Sequence, residues 1–510
     1  MSIPTLVGHQ TEILYVADNQ NMVITGSAGC GKSLLAIYRI YWLSKVYPND
    51  RIVLLTFNKA VNQDMISKIE LIAAQRNETV PNNLIVNTYN LFMKEILNKI
   101  CDNFQEEELL LNKYKEGKGV KNYNHYKKKV RQVEQAVDEI SKKYPDESSF
   151  KRPYQTFSDE ISWLQQMAVS TLEDYEKMER IGRRSTRIDR SKRKYFYEVY
   201  EKYLENREED DRYYDFEDIG SLIRTLLEKI EDQDKREKLM SFKYILIDEF
   251  QDFTSDMLMT VNALSDKNGA LVLLGDINQG VFGKRISFKS LGINMNSYKK
   301  YKLIQNYRNS RPISELAEEI SNSPYFDKSN EFYAEAELGI RKGQDPKIIQ
   351  YKNEEEEMSK VYQYIKAVET NYKDESVCVI LPTHKFKDFK GFIEKHGNNF
   401  KEYSLTNHES NIVIGSYRQI KGLEFDTVIM PFLSKKTFLE SLTIDNNELD
   451  TDKEDFDLTN IGTEILEKYI AQYYVGVTRA RNKLIILYSG QITPLLDNSS
   501  FEKYKKGSEN

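Results

Sequence analysis

Residues 26–33 read Gly26-Ser27-Ala28-Gly29-Cys30-Gly31-Lys32-Ser33, set between an apolar strand-like run, Met22 to Thr25, and a helical pattern that begins at Leu34. Strand, glycine-rich turn, Lys-Ser and helix in that order form the setting of a phosphate-binding loop. Glycines at 26, 29 and 31 let the backbone curl its N–H groups inward around a polyphosphate, the following helix offers its positive end, and Lys32 adds a mobile charge. Ser33 is placed to hold Mg2+. The run from Gly26 to Ser33, with Ser27, Ala28 and Cys30 included, is therefore expected to line a nucleoside triphosphate site.

A chain of 510 residues with 40% hydrophobic content can bury more than one core, so two or three domains are expected. No apolar run approaches the length that spans a bilayer, and the N-terminus lacks a basic segment followed by an apolar core and a cleavage site. Cytoplasmic residence, with no membrane partner, is the resulting expectation. The three cysteines, Cys30, Cys101 and Cys378, are too scattered for a zinc or iron-sulfur site or a disulfide framework. A net charge of -6 gives no overall push towards nucleic acid, so any such binding needs local basic surfaces.

Ahead of the loop, Gln10 carries both a donor and an acceptor, the pair that reads an adenine edge; a surface glutamine is the plainer alternative. After it, Arg51 to Phe57 and Asn83 to Asn87 read as buried strands ending in Thr56-Phe57-Asn58-Lys59 and Thr88-Tyr89-Asn90. Strand ends of this kind carry function in open parallel sheets. Phe57 and Tyr89 could stack on bases or pack in a core. From Cys101 to Asp211 the chain turns helical, charged and tyrosine-rich, as expected of an insertion into an α/β domain. It holds two basic clusters. One comprises Lys113, Lys115, Lys118, Lys121, Lys127, Lys128, Lys129 and Arg131 with Tyr114, Tyr123 and Tyr126; the other runs from Arg180 through Arg183, Arg184, Arg187, Arg190, Lys192, Arg193 and Lys194. Dense positive charge mixed with aromatics points to a nucleic-acid surface over a merely solvated face.

The apolar strand Phe242 to Ile247 runs into Asp248-Glu249-Phe250-Gln251-Asp252. Asp248 would join the Mg2+ shell and Glu249 would orient and deprotonate an attacking water, a step that hydrolysis needs and simple binding does not. The strand Ala270 to Leu274 ends at Gly275-Asp276 and is followed by Gln279, a neutral side chain able to sense a γ-phosphate. Past Leu303 a second α/β unit holds Asn306-Tyr307-Arg308, strands at Val377 to Leu381 and Ile412 to Gly415, Lys421-Gly422-Leu423-Glu424-Phe425, and Tyr474 to Ala480 with Arg479. An arginine that reaches a γ-phosphate across a cleft accelerates hydrolysis by about 10³ to 10⁵; taken by themselves, Arg308 and Arg479 read rather as ordinary surface ion pairs. Glu354 to Glu357 and Asp445 to Asp457 read as solvated loops, and the tail beyond Ser499 as disordered.

In this order and spacing the blocks resemble the UvrD/Rep/PcrA branch of superfamily one DNA helicases, over most of the chain. The resemblance implies an α/β protein of two RecA-like parallel-sheet lobes, with ATP and Mg2+ between them and stepping along single-stranded or tailed DNA in the 3'-to-5' direction. It further implies that Gln10 reads adenine, that Lys32, Ser33, Asp248 and Glu249 act as above, and that Gln279 senses the γ-phosphate. Tyr307 is similar to the residue that stacks on adenine, Arg308 and Arg479 to the paired γ-phosphate arginines, and Glu424 to the ribose contact. Phe57, Asn58, Thr88 and Tyr89 fall in DNA-contacting segments, and Asp215-Phe216-Glu217-Asp218 resembles the segment that returns the chain to the first lobe. The departures from the family are Leu34 in place of an arginine, Lys284 in place of an aromatic that would stack on a base, Arg418 in place of a histidine, and no large insertion between Val377 and Lys421; Lys284, through a phosphate contact, and Arg418 are nonetheless expected to touch the nucleic acid. The expected division is a first lobe of residues 1–100 and 212–300, a helical basic insertion at 101–211, a second lobe at 301–490 and a tail at 491–510. A translocase or helicase of DNA repair, recombination or defence is the leading expectation, and an ATP-gated nucleic-acid-binding subunit the other. No nuclease constellation is visible, so DNA degradation would require a partner such as a nuclease.

Overall fold

The computed structural model describes residues 5–16, 19–104, 122–180, 188–210, 213–276, 297–326, 328, 337–371, 374–405, 407, 410–445, 458 and 463–506. Its framework is a pair of six-stranded parallel sheets. The first contains β1 (Met22–Gly26), β2 (Ile52–Thr56), β3 (Leu84–Thr88), β4 (Phe242–Ile247), β5 (Ser265–Gly275) and β6 (Lys299–Leu303), in the order β3-β2-β4-β5-β1-β6. The second contains β7 (Lys347–Tyr351), β8 (Val377–Leu381), β9 (Ile412–Ser416), β10 (Phe425–Met430), β11 (Ala480–Ser489) and β12 (Lys505–Lys506), in the order β12-β7-β11-β10-β8-β9.

The apolar runs explain why the strands are parallel and covered on both faces. Successive side chains point to opposite faces of a strand. Val53 and Leu55 accordingly enter one core while Ile52 and Leu54 enter the other, and Ile245 and Ile247 part from Tyr244 and Leu246 in the same way. Cys378 and Ile380 likewise separate from Val377, Val379 and Leu381 in the second sheet. Each fully buried aliphatic side chain contributes about 1.5–3 kcal/mol, so these short strands anchor a helical layer on each side.

Between β3 and β4 the helices Asn122–Ser141, Tyr154–Gln166, Leu172–Lys177 and Arg193–Glu209 enclose a core of their own that includes Phe157, Trp163, Phe196 and Tyr203. A buried polar knot joins this unit to the segment returning to the sheet. Asp215 accepts from Arg207 at 3.0 Å, from Gln165 at 2.8 Å and from the Tyr203 hydroxyl, and Asp218 accepts from Arg207 at 2.7 Å.

Two expectations are corrected. Glu354 to Glu357 open the helix Glu354–Asn371 instead of forming a solvated loop. The Asn353 side chain accepts from Glu356 N and the Glu356 carboxylate accepts from Lys352 N, both at 2.9 Å, so reciprocal caps start the helix while its acids offset the positive helix end. The tail beyond Ser499 is ordered as far as Lys506: a 3-10 turn, Ser499–Tyr504, buries Phe501 and Tyr504 against the second sheet, and β12 pairs with β7. Two aromatics in a lysine- and glutamate-rich segment were enough to dock it. Asp445 ends the helix Lys435–Asp445, and the rest of that acidic stretch, 446–457, lies outside the described residues, as do 507–510.

Glu357 is buried, and its Oε1 accepts from the backbone of Phe432, which is held at a positive φ of 65°. Burial pushes its carboxyl up from the ordinary 4.5 to about 7. The folded state then binds a proton that the unfolded chain has lost, so stability falls as pH rises from 4.5 to about 7. Glu357→Gln keeps the acceptor and removes the charge. Its stability relative to wild type, measured by denaturant melts, should rise between pH 4.5 and 8 by on the order of 3 kcal/mol; a pH-independent difference would show that Glu357 does not titrate there.

Candidate functional site: the cleft between the sheets

Because the first sheet is parallel, β1, β2, β3, β4 and β5 all deliver their carboxyl ends to one edge. β5 is paired on one side with β1 and on the other with β4. The phosphate loop and the Asp248-Glu249 pair therefore flank Asp276 at the end of β5, the place where open parallel sheets bind ligands.

The loop has the backbone that its glycines predict. Gly29 and Gly31 take φ of 78° and 82°, and a Cβ at Gly29 would lie 2.4 Å from Asn306 Oδ1 and 2.7 Å from Arg308 Cβ. The same glycine carbonyl accepts from Tyr307 N at 3.0 Å, so the segment entering the second lobe is seated directly on the loop. The loop is followed at once by the helix Lys32–Val46. Lys32 Nζ donates to the carbonyls of Gly26 and Ser27 at 2.8 and 3.0 Å. Burial opposes its charge, yet Cys30, Asp276, Glu249 and Asp248 together hold its pKa above the ordinary lysine value. Ser27, Ala28 and Cys30 are buried within the loop. Gln10 spends its amide inside the protein, donating to Cys30 O at 2.7 Å and accepting from Val7 N at 3.0 Å. Tyr307 lies on the same side, its hydroxyl 3.9 Å from the position of a Cβ on Gly8.

Ser33 Oγ donates to Asp248 Oδ2 at 2.7 Å, while Asp248 Oδ1 is buried without a hydrogen-bond partner. Burial and the adjacent Glu249 push the Asp248 carboxyl up to about 7. A buried hard-oxygen pair with one unsatisfied atom fits a divalent cation. Glu249 adopts the left-handed conformation, φ 54° and ψ 45°, which costs a non-glycine residue about 1–3 kcal/mol. Burial pushes its carboxyl up, but Lys421, Lys32 and Arg479 outweigh it and hold the group below the ordinary range. Gln251, which the sequence reading passed over, bridges this acid to β5: its Nε2 donates to Glu249 Oε2 and its Oε1 accepts from Asp276 N at 3.1 Å.

The second sheet supplies the opposite wall. Lys421 Nζ donates to Asp252 Oδ1 at 2.5 Å, with side chains only 4% and 5% exposed. Arg479 is 1% exposed, donates to Val475 O at 3.1 Å and to Leu423 O at 3.3 Å, and has its pKa lowered to about 10 by burial and by Arg308. Glu424 accepts from Arg308 Nη2 at 2.5 Å and from Arg481, a residue no motif had marked. Lys32, Ser33, Asp248, Glu249, Tyr307, Arg308, Glu424 and Arg479 are thus brought together around one cleft. Gln279 and Lys284 lie outside the described residues.

The expected DNA contacts fare unevenly. Asn58 caps the helix Lys59–Gln75 by accepting from Ala60 N at 2.9 Å, and its amide reaches the carbonyls of Gln419 and Lys421 at 3.4 Å, so it bridges the two lobes. Phe57 is half-buried and Arg418 is exposed near Asp252. Thr88 is buried at the start of the helix Tyr89–Asn103. Tyr89 is corrected: only 5% exposed, it packs edge-on against Phe253 at 5.7 Å in the first core, where no base can stack on it.

The basic clusters are also revised. Arg180 pairs with buried Glu160, Arg193 is buried against the carbonyls of Tyr175, Glu176 and Met178, and Lys192 pairs with Glu147 at 2.8 Å. Those cations hold the helical unit together, whereas Arg190 and Lys194 are exposed. Lys129 is likewise buried, bonded to Gln165 and Ser162 at 2.8 and 3.0 Å. Lys128 stands 3.8 Å from Asp210 and Arg131 is exposed. Arg183, Arg184, Arg187 and the members from Lys113 to Lys121 lie outside the described residues, and nothing is described of the side chains of Tyr123, Tyr126 and Lys127.

The profile of the UvrD/REP helicase N-terminal domain matches residues 7–302, and that of the UvrD-like helicase C-terminal domain matches 301–389 and 383–491. The chain belongs to the UvrD/Rep helicase family. Among its relatives, the ATP-dependent DNA helicase Rep of Escherichia coli (strain K12) is 28% identical over 196 residues, 37% of this chain and 28% of that protein. Rep of Buchnera aphidicola subsp. Baizongia pistaciae is 28% identical over 211 residues, 39% of this chain and 30% of that one. The putative ATP-dependent DNA helicase YjcD of Bacillus subtilis (strain 168) is 29% identical over 198 residues, 38% of this chain and 25% of that protein. The match thus spans under a third of each of these relatives. Among the described residues no helix is long and apolar enough to cross a membrane. The two parallel sheets agree with the two RecA-like lobes of a UvrD/Rep protein, and family membership implies use of a nucleotide.

If Tyr89 is a core residue, Tyr89→Ala should cost about 3–5 kcal/mol in denaturant melts, as for other large buried aromatics. At a temperature where the variant is folded, its single-strand affinity should stay within about twofold of wild type. Native stability combined with weakened DNA binding would restore the stacking assignment.

Proposed function

We propose that the chain is an ATP-dependent DNA translocase and helicase that moves 3'-to-5' along single-stranded DNA. The observation that carries this reading is the meeting of Lys32, Ser33, Asp248 and Glu249 of the first sheet with Arg308, Arg479 and Glu424 of the second around one cleft. The relatives named as ATP-dependent DNA helicases, and the DNA that such helicases act on, support it. A simple nucleotide binder has no use for an ionised acid set among Lys421, Lys32 and Arg479.

In this reading the backbone of Gly26 to Ser33 and Lys32 bind the β- and γ-phosphates. Ser33 and Asp248 would hold Mg2+, which supplies charge neutralisation on the phosphate oxygens when bound. Glu249 takes the proton of the attacking water. Arg308 and Arg479 approach the γ-phosphate as negative charge develops, so their contacts lower the barrier more than they improve binding. Tyr307 receives the adenine and Glu424 the ribose, while Gln10, its amide engaged by Cys30 O and Val7 N, braces the phosphate loop. DNA would run past Phe57, Asn58, Thr88 and Arg418, at the carboxyl ends of β2, β3 and β9, so closure of the lobes would move one gripping surface past the other. We assign 1–100 and 212–300 to the first lobe, 101–211 to the helical insertion, and 301 to 506 to the second lobe.

Glu249→Gln should retain ATP binding, read by a fluorescent nucleotide, with single-strand-stimulated hydrolysis down by roughly two orders of magnitude or more. Loss of binding as well would make Glu249 a structural residue.

Unwinding needs a further surface, since each base-pair step costs about 1.4 kcal/mol to melt. Among the described residues the connection from β8 to β9 holds the short turns Thr383–Lys385 and Phe400–Tyr403 and the helix Phe386–Lys395, with no inserted domain. In tailed-duplex assays the purified chain should open short duplexes from a 3' tail and lose efficiency steeply with duplex length. Preference for a 5' tail would refute the polarity, and length-independent unwinding would refute the inference from the compact second lobe.

A further inference from the structure

Glu424 is gripped from two sides. Arg308 Nη2 donates to Oε1 at 2.5 Å, while Arg481 donates to Oε2 through Nε at 3.2 Å and Nη2 at 3.1 Å. Burial opposes its charge, but Arg308, Arg481 and Lys68 hold the carboxyl down to about 2. Of these cations, Lys68 is shared with Asp64 at 2.5 Å.

The two arginines differ in what else they touch. Arg308 is fixed beside the phosphate loop through its backbone: its N–H donates to Asn306 Oδ1 at 3.0 Å and its Cβ stands 2.7 Å from the position of a Cβ on Gly29. Its side chain is poorly satisfied, because Nε is buried without a partner and Nη1 reaches only Thr478 O at 3.5 Å. Glu424 is its one strong partner. Arg481 stands on β11, its carbonyl accepting from Ser310 N at 3.0 Å, and its side chain is 42% exposed at the rim of the cleft.

For Arg308 to reach phosphate at the loop, it has to release Glu424. A carboxylate abandoned in a partly buried cleft is costly, far more so than the pair itself is stabilising. The arrangement avoids that cost, since Arg481 binds the other oxygen and its two hydrogen bonds survive the departure of Arg308.

We propose that Arg481 is a positioning residue: it keeps the Glu424 carboxylate neutralised and in place while Arg308 transfers from Glu424 to the nucleotide's phosphates. The proposal rests on the ATPase reading above and adds a residue to it. Without Arg481, Glu424 holds Arg308 back, and the loss falls on the step in which the Arg308 contact strengthens. That step is hydrolysis.

The test is steady-state ATP hydrolysis by the full chain with saturating single-stranded DNA, with thermal midpoints read alongside. Arg481→Gln should lower kcat about three- to tenfold, the scale expected of a half-exposed charge pair, and change KM by less than about twofold. Arg481→Lys, which keeps the charge, should recover much of the loss. The deciding comparison is made in a Glu424→Gln background, where the neutral amide no longer restrains Arg308: there Arg481→Gln should leave kcat unchanged. An equal drop in kcat in both backgrounds, with or without a fall in thermal midpoint, would overturn the proposal, as would a change confined to KM. A wild-type chain without DNA-stimulated ATPase would sink the ATPase reading itself, an outcome distinct from an active wild type that ignores Arg481→Gln.

Discussion

The ion pair between Lys421 and Asp252 is the contact on which the cleft depends. It joins the carboxyl end of β4 to the approach to β10 with both side chains almost wholly buried. Such a pair pays heavily in lost hydration and is weak evidence for stability; burial still pushes the Asp252 carboxyl up to about 6 with Lys421 beside it. Its effect is positional. Alongside it, Gly422 at φ 84° lies so close to Val61 that a Cβ would come within 2.4 Å of its Cγ2, and the Asn58 amide meets the carbonyls of Gln419 and Lys421. These contacts fix the register of one sheet against the other, and with it the placement of Glu424 and Arg479 opposite the phosphate loop.

Much of this was legible in the residues, for a physical reason. Parallel strands buried on both faces are short apolar runs, and β4 and β8 fall on the very residues that such runs mark. The chemistry sits at their carboxyl ends, so motif and strand announce each other. What escaped notice was charged. β6 reads Lys-Lys-Tyr-Lys-Leu and forms an edge strand, where lysines are tolerated because one side is unpaired. Glu354 to Glu357 looked like solvated charge, although Asn353 and Glu356 already spelled a helix start. Arg180 and Arg193 looked like a surface for DNA but are spent on Glu160 and on backbone carbonyls, since charge density in a sequence says nothing of which acids and carbonyls lie opposite. Tyr89 and Phe57 followed similar strand ends, and only tertiary packing separates the buried ring from the half-exposed one.

β8 and β9 are neighbours, joined by a single crossover whose helix buries Phe389 and Ile393 on the sheet. Parallel neighbours need such a crossover in any case. Among its described residues nothing is left over for a separate unit, and the buried face of its helix is committed to the lobe's own core.

Asp248 and Glu249 are adjacent in sequence, yet their surroundings push them in opposite directions. Adjacent carboxylates with divergent proton affinities are a reliable sign of divided labour. Asp248 is raised because it is buried beside another acid, with Ser33 as its direct partner and an oxygen left unsatisfied. A divalent cation answers all of those conditions at once. Glu249 is lowered because the strained turn at φ 54° brings it among Lys421, Lys32 and Arg479. Two of those three cations belong to the second lobe, and the strongest of them, Lys421, is held in place by Asp252. Glu249 therefore owes its ionisation to cations of both lobes, so on the proposed reading its part as a base and the docking of the two sheets are linked.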